Sequence, residues 1–309
     1  MGSILISAFA AIAAGMALAA TGVLQQRAAS TRPSNERFSL RMLATLAHNK
    51  TWLAGIGAAV LSYGFQAVAL AFGPLALVQP LVVSELLFAV PISAKLRGIQ
   101  LGRREWISVL VIIAGLAIGI VSAHPRKANP LVSISLWAYA LGGIAVLVAL
   151  AVLIGRQVTG PAKASLFALA GASTMALQSA LYKATISALE RDKLGVFLHW
   201  QSYALIIASF LGLYLVQNAY QAGPLAASMP VMDAVLPTVA IALGVGLFKE
   251  PIRTSWWGLA GASTGLALLI IGIVALDTSS AVHRQQQVEE KERKQAAQEP
   301  GTAVTTSGN

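Results

Sequence analysis

Nine stretches of this chain are apolar over the length a helix needs to cross a bilayer, about 18–25 residues. Residues 3–24, 104–122, 131–154 and 256–276 are almost unbroken, and residues 51–72, 75–94, 163–184, 199–218 and 225–247 carry a few polar side chains. Backbone inside hydrocarbon must satisfy its own hydrogen bonds, so only helices and closed barrels span membranes. Barrel strands alternate in polarity over about ten residues, and these stretches do not. The sequence therefore predicts an all-α integral membrane protein with about nine transmembrane helices, or ten if residues 38–48 re-enter the membrane. Only 11% of the residues are charged, against about 25% in soluble domains.

The formal charge of +10 is distributed as topology, not as a polyanion site. With the N-terminus outside, the inner loops receive Arg27, Arg32, Arg37, Arg41 and Lys50, then Lys95, Arg97, Arg103 and Arg104, then Arg156 and Lys163, and the inner tail holds Arg284, Lys291, Arg293 and Lys294. The outer loops keep Arg126, Lys127, Arg191, Lys193, Lys249 and Arg253. This positive-inside bias predicts the plasma membrane of a prokaryote, a cytoplasmic C-terminus, the lipid bilayer as partner and no nucleic acid. Residues 1–26 lack Lys and Arg, so no basic region introduces a cleaved signal peptide. The absence of cysteine excludes disulfides, iron–sulfur clusters and thiol catalysis.

Gly73-Pro74-Leu75-Ala76 with Pro80 recurs 150 residues later as Gly223-Pro224-Leu225-Ala226 with Pro230. The same offset pairs Trp106 with Trp256 and Gly115-Leu116-Ala117 with Gly265-Leu266-Ala267. This divides the chain into a first repeat (1–122), a linking helix (123–162), a second repeat (163–276) and a polar tail (277–309), expected to be disordered or a solvated helix. Four spans return the chain to its starting side and the single linking span changes sides. The two four-helix repeats should thus be inverted relative to each other, as in secondary transporters that alternate access around a central site.

The third span of each repeat combines helix breakers with a carboxylate: Pro80, Glu85 and Pro91 in the first, Pro230, Asp233 and Pro237 in the second. A mid-helix proline frees a carbonyl, and an ionised carboxylate near the bilayer centre costs about 2.5–3.5 kcal/mol on the insertion scale. Glu85 and Asp233 are therefore the candidate substrate- or ion-binding residues. They suit either proton binding and release during alternating access or, as metal ligands, a partly hydrated divalent cation. Gln66, Gln79, Gln178, Gln217 and Asn218 are polar candidates to flank the site. Lys183 and His199 fall at predicted span ends, where snorkelling explains them. Trp52, Trp106, Trp137, Trp200, Trp256 and Trp257 also lie near ends, as an aromatic belt predicts. No phosphate loop, metal-hydrolase pattern or nucleophile–base pair points to an enzyme, and no cofactor is expected beyond H+ or Mg2+ as a transported or coupling ion.

Ala71-Phe72-Gly73-Pro74-Leu75-Ala76-Leu77-Val78-Gln79-Pro80-Leu81 resembles the drug/metabolite transporter (EamA-like) superfamily, closest to NIPA-type magnesium transporters. Leu247-Phe248-Lys249-Glu250 is similar to the Phe-x-Glu of their second half, and the likeness covers about residues 3–276. It implies a nine-span transporter. Tyr63 stands where the NIPA-type signature has an acidic residue, and Arg97-Gly98 with Gln100 replaces the superfamily's Gly-Glu. These departures rank a small-solute transporter first and a magnesium transporter second. A transport-inactive scaffold subunit whose tail recruits a partner is the third reading. The substrate and the oligomeric state, including a homodimer, stay open at this level.

Overall fold

The computed structural model describes residues 2–30, 49–96, 100–126, 132–222 and 225–279, with 284 and 287. The loop at 31–48 and most of the tail lie outside these residues, so neither a re-entrant 38–48 nor the expected state of the tail is addressed. Among the described residues there are helices and no strand. They are α1 (Gly2–Ser30), α2 (Lys50–Phe72), α3 (Leu75–Val82), α4 (Glu85–Leu96), α5 (Arg103–Ala123), α6 (Ile134–Gln157), α7 (Gly160–Asp192), α8 (Trp200–Ala222), α9 (Leu225–Gly246) and α10 (Trp256–Asp277), with a 3-10 segment at Lys193–Leu198. Nine segments of the described chain are long and apolar enough to cross a membrane, the third being α3 and α4 together. The chain is therefore an all-α, multi-pass membrane protein by architecture.

Packing follows a repeating scheme. Helix α1 lies against α2, α3 and α4, while α7 lies against α8 and α9. Across the middle, α5 packs on α10 and α3 on α9. Helix α6 contacts chiefly α7 and turns most of its length outward. The α5–α10 seam is antiparallel and very close, with Gly272 over Ile112, Gly265 over Gly115 and Gly119, and Gly261 over Ser122. Small residues let membrane helices approach backbone to backbone where no hydrophobic effect drives association.

The structure revises three sequence expectations. Trp137 lies near the start of α6, but it is buried, edge-on to Trp200 at 5.3 Å and to Phe248 at 6.1 Å between ring centroids. It is a core residue, not part of a lipid-facing belt. Helix α7 runs on to Asp192, well past the predicted end at 184. Asp277 is the buried last residue of α10, and Ser279 is buried as well, so the polar tail begins after them.

Candidate functional site

Residues Val83 and Ser84 break the third span, so Glu85 opens α4. The break is seated on α1, where a side chain at Gly15 would collide with Val82 O and Ser84 Oγ. Helix α9 stays continuous through Pro230 and Pro237, with Asp233 between them. The two expected carboxyls do come together, and two residues not anticipated join them. Asp233 interacts side chain to side chain with Asp277 of α10. The charge of Asp233 acts on Glu85, and Tyr220 of α8 stands in the field of all three carboxyls. Glu85, Asp233 and Tyr220 are partly buried, and Asp277 is buried with its Oδ2 lacking a hydrogen bond among the described residues. Among the described residues no group of three or more His, Asp or Glu is arranged to hold a metal ion.

The flanking amides fare differently. Gln79 is buried on α3, and its Nε2 has no hydrogen-bond partner among the described residues. The buried Ser84 Oγ, beside Glu85, is also unpartnered there. Buried polar groups are nearly always satisfied, so each of these atoms marks a point where water or a polar solute is wanted. Gln66, Gln178 and Gln217 are partly buried on α2, α7 and α8. Asn218 donates to Tyr214 O one turn back in its own helix, at 2.8 Å.

A second polar centre lies at the α2–α3 and α9–α10 junctions, where the structure overturns the expectation for Lys183 and gives Glu250 a partner that the sequence did not assign. Lys183 does not snorkel. Its side chain is 2% exposed, and Nζ forms an ion pair with the fully buried Glu250 carboxylate. Nζ also sits 4.9 Å from the centre of the Phe248 ring, within cation–π range. The helix break at Gly73-Pro74 starts α3 afresh, leaving its first N–H groups without helical acceptors. Glu250 supplies them: Leu75 N–H donates to Oε1 at 2.6 Å and Ala76 N–H to Oε2 at 2.9 Å. The positive end of the α3 dipole suits that carboxylate.

Glu250 reaches this place on a tight helix stop. Lys249 has φ 52°, and the Glu250 N–H returns to Gly244 O in the last turn of α9 at 3.1 Å. A side chain at Gly244 would strike the Glu250 carboxylate and Ala76 N, so only glycine leaves room for the junction. The following residues are tied to the end of α5 by Arg253 N–H to Ala123 O and Arg126 N–H to Pro251 O. Beside Lys183, Tyr182 donates its hydroxyl to Tyr63 O and sets its ring edge-on to that of Tyr63. A half-open apolar cleft of about 210 Å³ adjoins the junction, lined by Ala76, Pro80, Leu116, Ile241, Ile252 and Leu266 among others. His199, the other predicted span-end residue, pairs with Asp192 on the surface at 2.6 Å.

The two centres stand well apart along the bundle. Asp233 precedes the end of α9 by 13 residues, about 20 Å of helix, and Glu85 follows Leu75 by ten, about 15 Å.

No family model and no solved structure matches this chain. A protein of Corynebacterium glutamicum, described as uncharacterized protein Cgl0250/cg0304, is 29% identical over 286 residues, spanning 91% of this chain and 98% of its own length.

Proposed function

We propose that this chain is a secondary transporter of a small solute that works by alternating access between two inverted halves and is coupled to protons through Glu85, Asp233 and Asp277. The observation that carries the reading is the convergence of carboxyls from opposite halves of an apolar bundle, Glu85 from one and Asp233 with Asp277 from the other. Ionisable groups at membrane depth are expensive to keep and mark ion or substrate pathways. A proton shared between Asp233 and Asp277 lets two carboxyls coexist there, and its departure leaves like charges that repel. Gln79 Nε2 on α3 and Ser84 Oγ beside Glu85, without hydrogen-bond partners among the described residues, add polar groups between the junction and Glu85.

Further support comes from the packing scheme, in which each contact of the first repeat has its counterpart in the second. Under this reading the likeness to drug/metabolite transporters is one of fold and mechanism, with the plasma membrane as location and the C-terminus inside.

The test is solute flux into proteoliposomes at graded pH, after a thermal-shift screen of small metabolites has supplied the solute. Glu85→Gln should flatten the pH dependence of transport. If its profile matches wild type, the proton role of Glu85 is wrong.

A second reading is a divalent-cation transporter, in which Glu85 and Asp233 supply two of the several oxygen ligands that hard cations prefer and freed carbonyls and waters supply the rest. A ligand that binds only the folded state raises its stability by RT ln(1 + [L]/Kd). A saturable rise with magnesium, absent with calcium and lost in Glu85→Gln/Asp233→Asn, would put the cation first.

A further inference from the structure

We propose that Glu250 is a latch that closes one end of the transport pathway, with Lys183 and the first turn of α3 as its keeper. The inference rests on the transport reading for its purpose, but its geometry stands alone. Glu250 belongs to the second half and the α3 N–H groups to the first, so one carboxylate joins the halves. The α5 and α9 connectors add Arg253–Ala123 and Arg126–Pro251 at the same end. With Lys183 and Glu250 both buried, no room for a solute is left between them.

Two features make the contact a device and not merely a brace. Glu250 sits just beyond a helix stop, so it withdraws with the turn without unwinding α9. The contact is also one-sided. The residue 150 positions earlier is Gln100, neutral and exposed, and residues 97–102 contain no acid. Among the described residues the repeat therefore places a carboxylate on the start of α3 from the position of Glu250, and none from the equivalent position of Gln100. That asymmetry biases the resting conformation toward the end that carries the carboxylate.

Because the chain has no cysteine, single cysteines report access directly in nanodiscs with a charged, membrane-impermeant thiol reagent. Ala180 on α7 is fully buried three residues before Lys183, so Ala180→Cys reports the latched end. Met229 precedes Asp233 by one turn of α9, so Met229→Cys reports the carboxyl end. Ala11→Cys, fully buried on α1, reports unfolding.

In Glu250→Gln and Glu250→Ala, Ala180→Cys should label about tenfold faster or more, with Ala11→Cys unchanged. Unchanged Ala180 labelling in a folded variant overturns the latch. If the single variants expose Ala11→Cys, Lys183→Met/Glu250→Gln decides, since it leaves no unpaired buried charge: faster Ala180 labelling supports the latch and unchanged labelling overturns it. Met229→Cys separates the two readings, because alternating access requires its labelling to fall as that of Ala180→Cys rises. A rise at Ala180 with no fall at Met229 keeps the latch and sinks alternating access.

Discussion

Gly115 and Gly265, equivalent in the sequence repeat, lie against each other: a side chain on either would come within 2.8 Å of the other's carbonyl oxygen. The contact is reciprocal and the helices run antiparallel, as a two-fold relation between halves would require. Gly265→Ala should destabilise the fold by about 1–3 kcal/mol, the usual cost of overpacking, and Gly115→Ala similarly. Thermal unfolding in detergent checks this, and the double variant should be no better than the worse single, since neither methyl makes room for the other.

Breaking the Lys183–Glu250 pair should be worse than removing it. Lys183→Met leaves a buried carboxylate with its α3 N–H donors but no cation, a loss of about 3–5 kcal/mol. Adding Glu250→Gln keeps an acceptor for α3 and removes the unpaired charge, so the double variant should melt above Lys183→Met alone. The reverse order would mean that the α3 cap, not the ion pair, dominates.

Asp233 and Asp277 should act as one unit. Asp233→Asn and Asp277→Asn should each change the pH profile of flux, and the double variant should resemble the singles, because groups that share a task are not additive. Independent, additive effects would separate Asp277 from the proton path.

Trp137→Ala should cost about 3–5 kcal/mol, because Trp200 and Phe248 lose their edge-on partner. Trp106→Ala, at an exposed site, should leave the melting temperature nearly unchanged. Phe248 also faces Lys183, so the Trp137 variant should weaken the junction as well, seen as faster labelling at Ala180→Cys.

Removing residues 280–309 should leave flux intact if the protein is a transporter and abolish function if it is a scaffold. The cut must follow Ser279, which is buried and whose N–H bonds to Leu276 O. A cut before Asp277 would remove a carboxyl of the site itself.

The spans were legible because hydrocarbon admits so few backbone solutions that apolar length alone identifies them. Glu85 and Asp233 were legible because a carboxylate in such a run is conspicuous. Lys183 and Glu250 were not, since each stands near a predicted span end, where a charge ordinarily reaches water. Only the extension of α7 to Asp192 places Lys183 nine residues inside its helix, and its partner is 67 positions away. Asp277 was hidden by the polar composition that follows it. Trp137 shows the same limit, because position along a helix does not say which way a side chain faces.

The glycine seam between α5 and α10 also says which parts can move. Two backbones in direct contact have no side chains between them to change rotamer or repack. These helices would swing together as one rod, an axle for the rest. Under the transport reading, the play would fall to the jointed third span, broken at Val83 and Ser84, and to its proline-bearing counterpart α9.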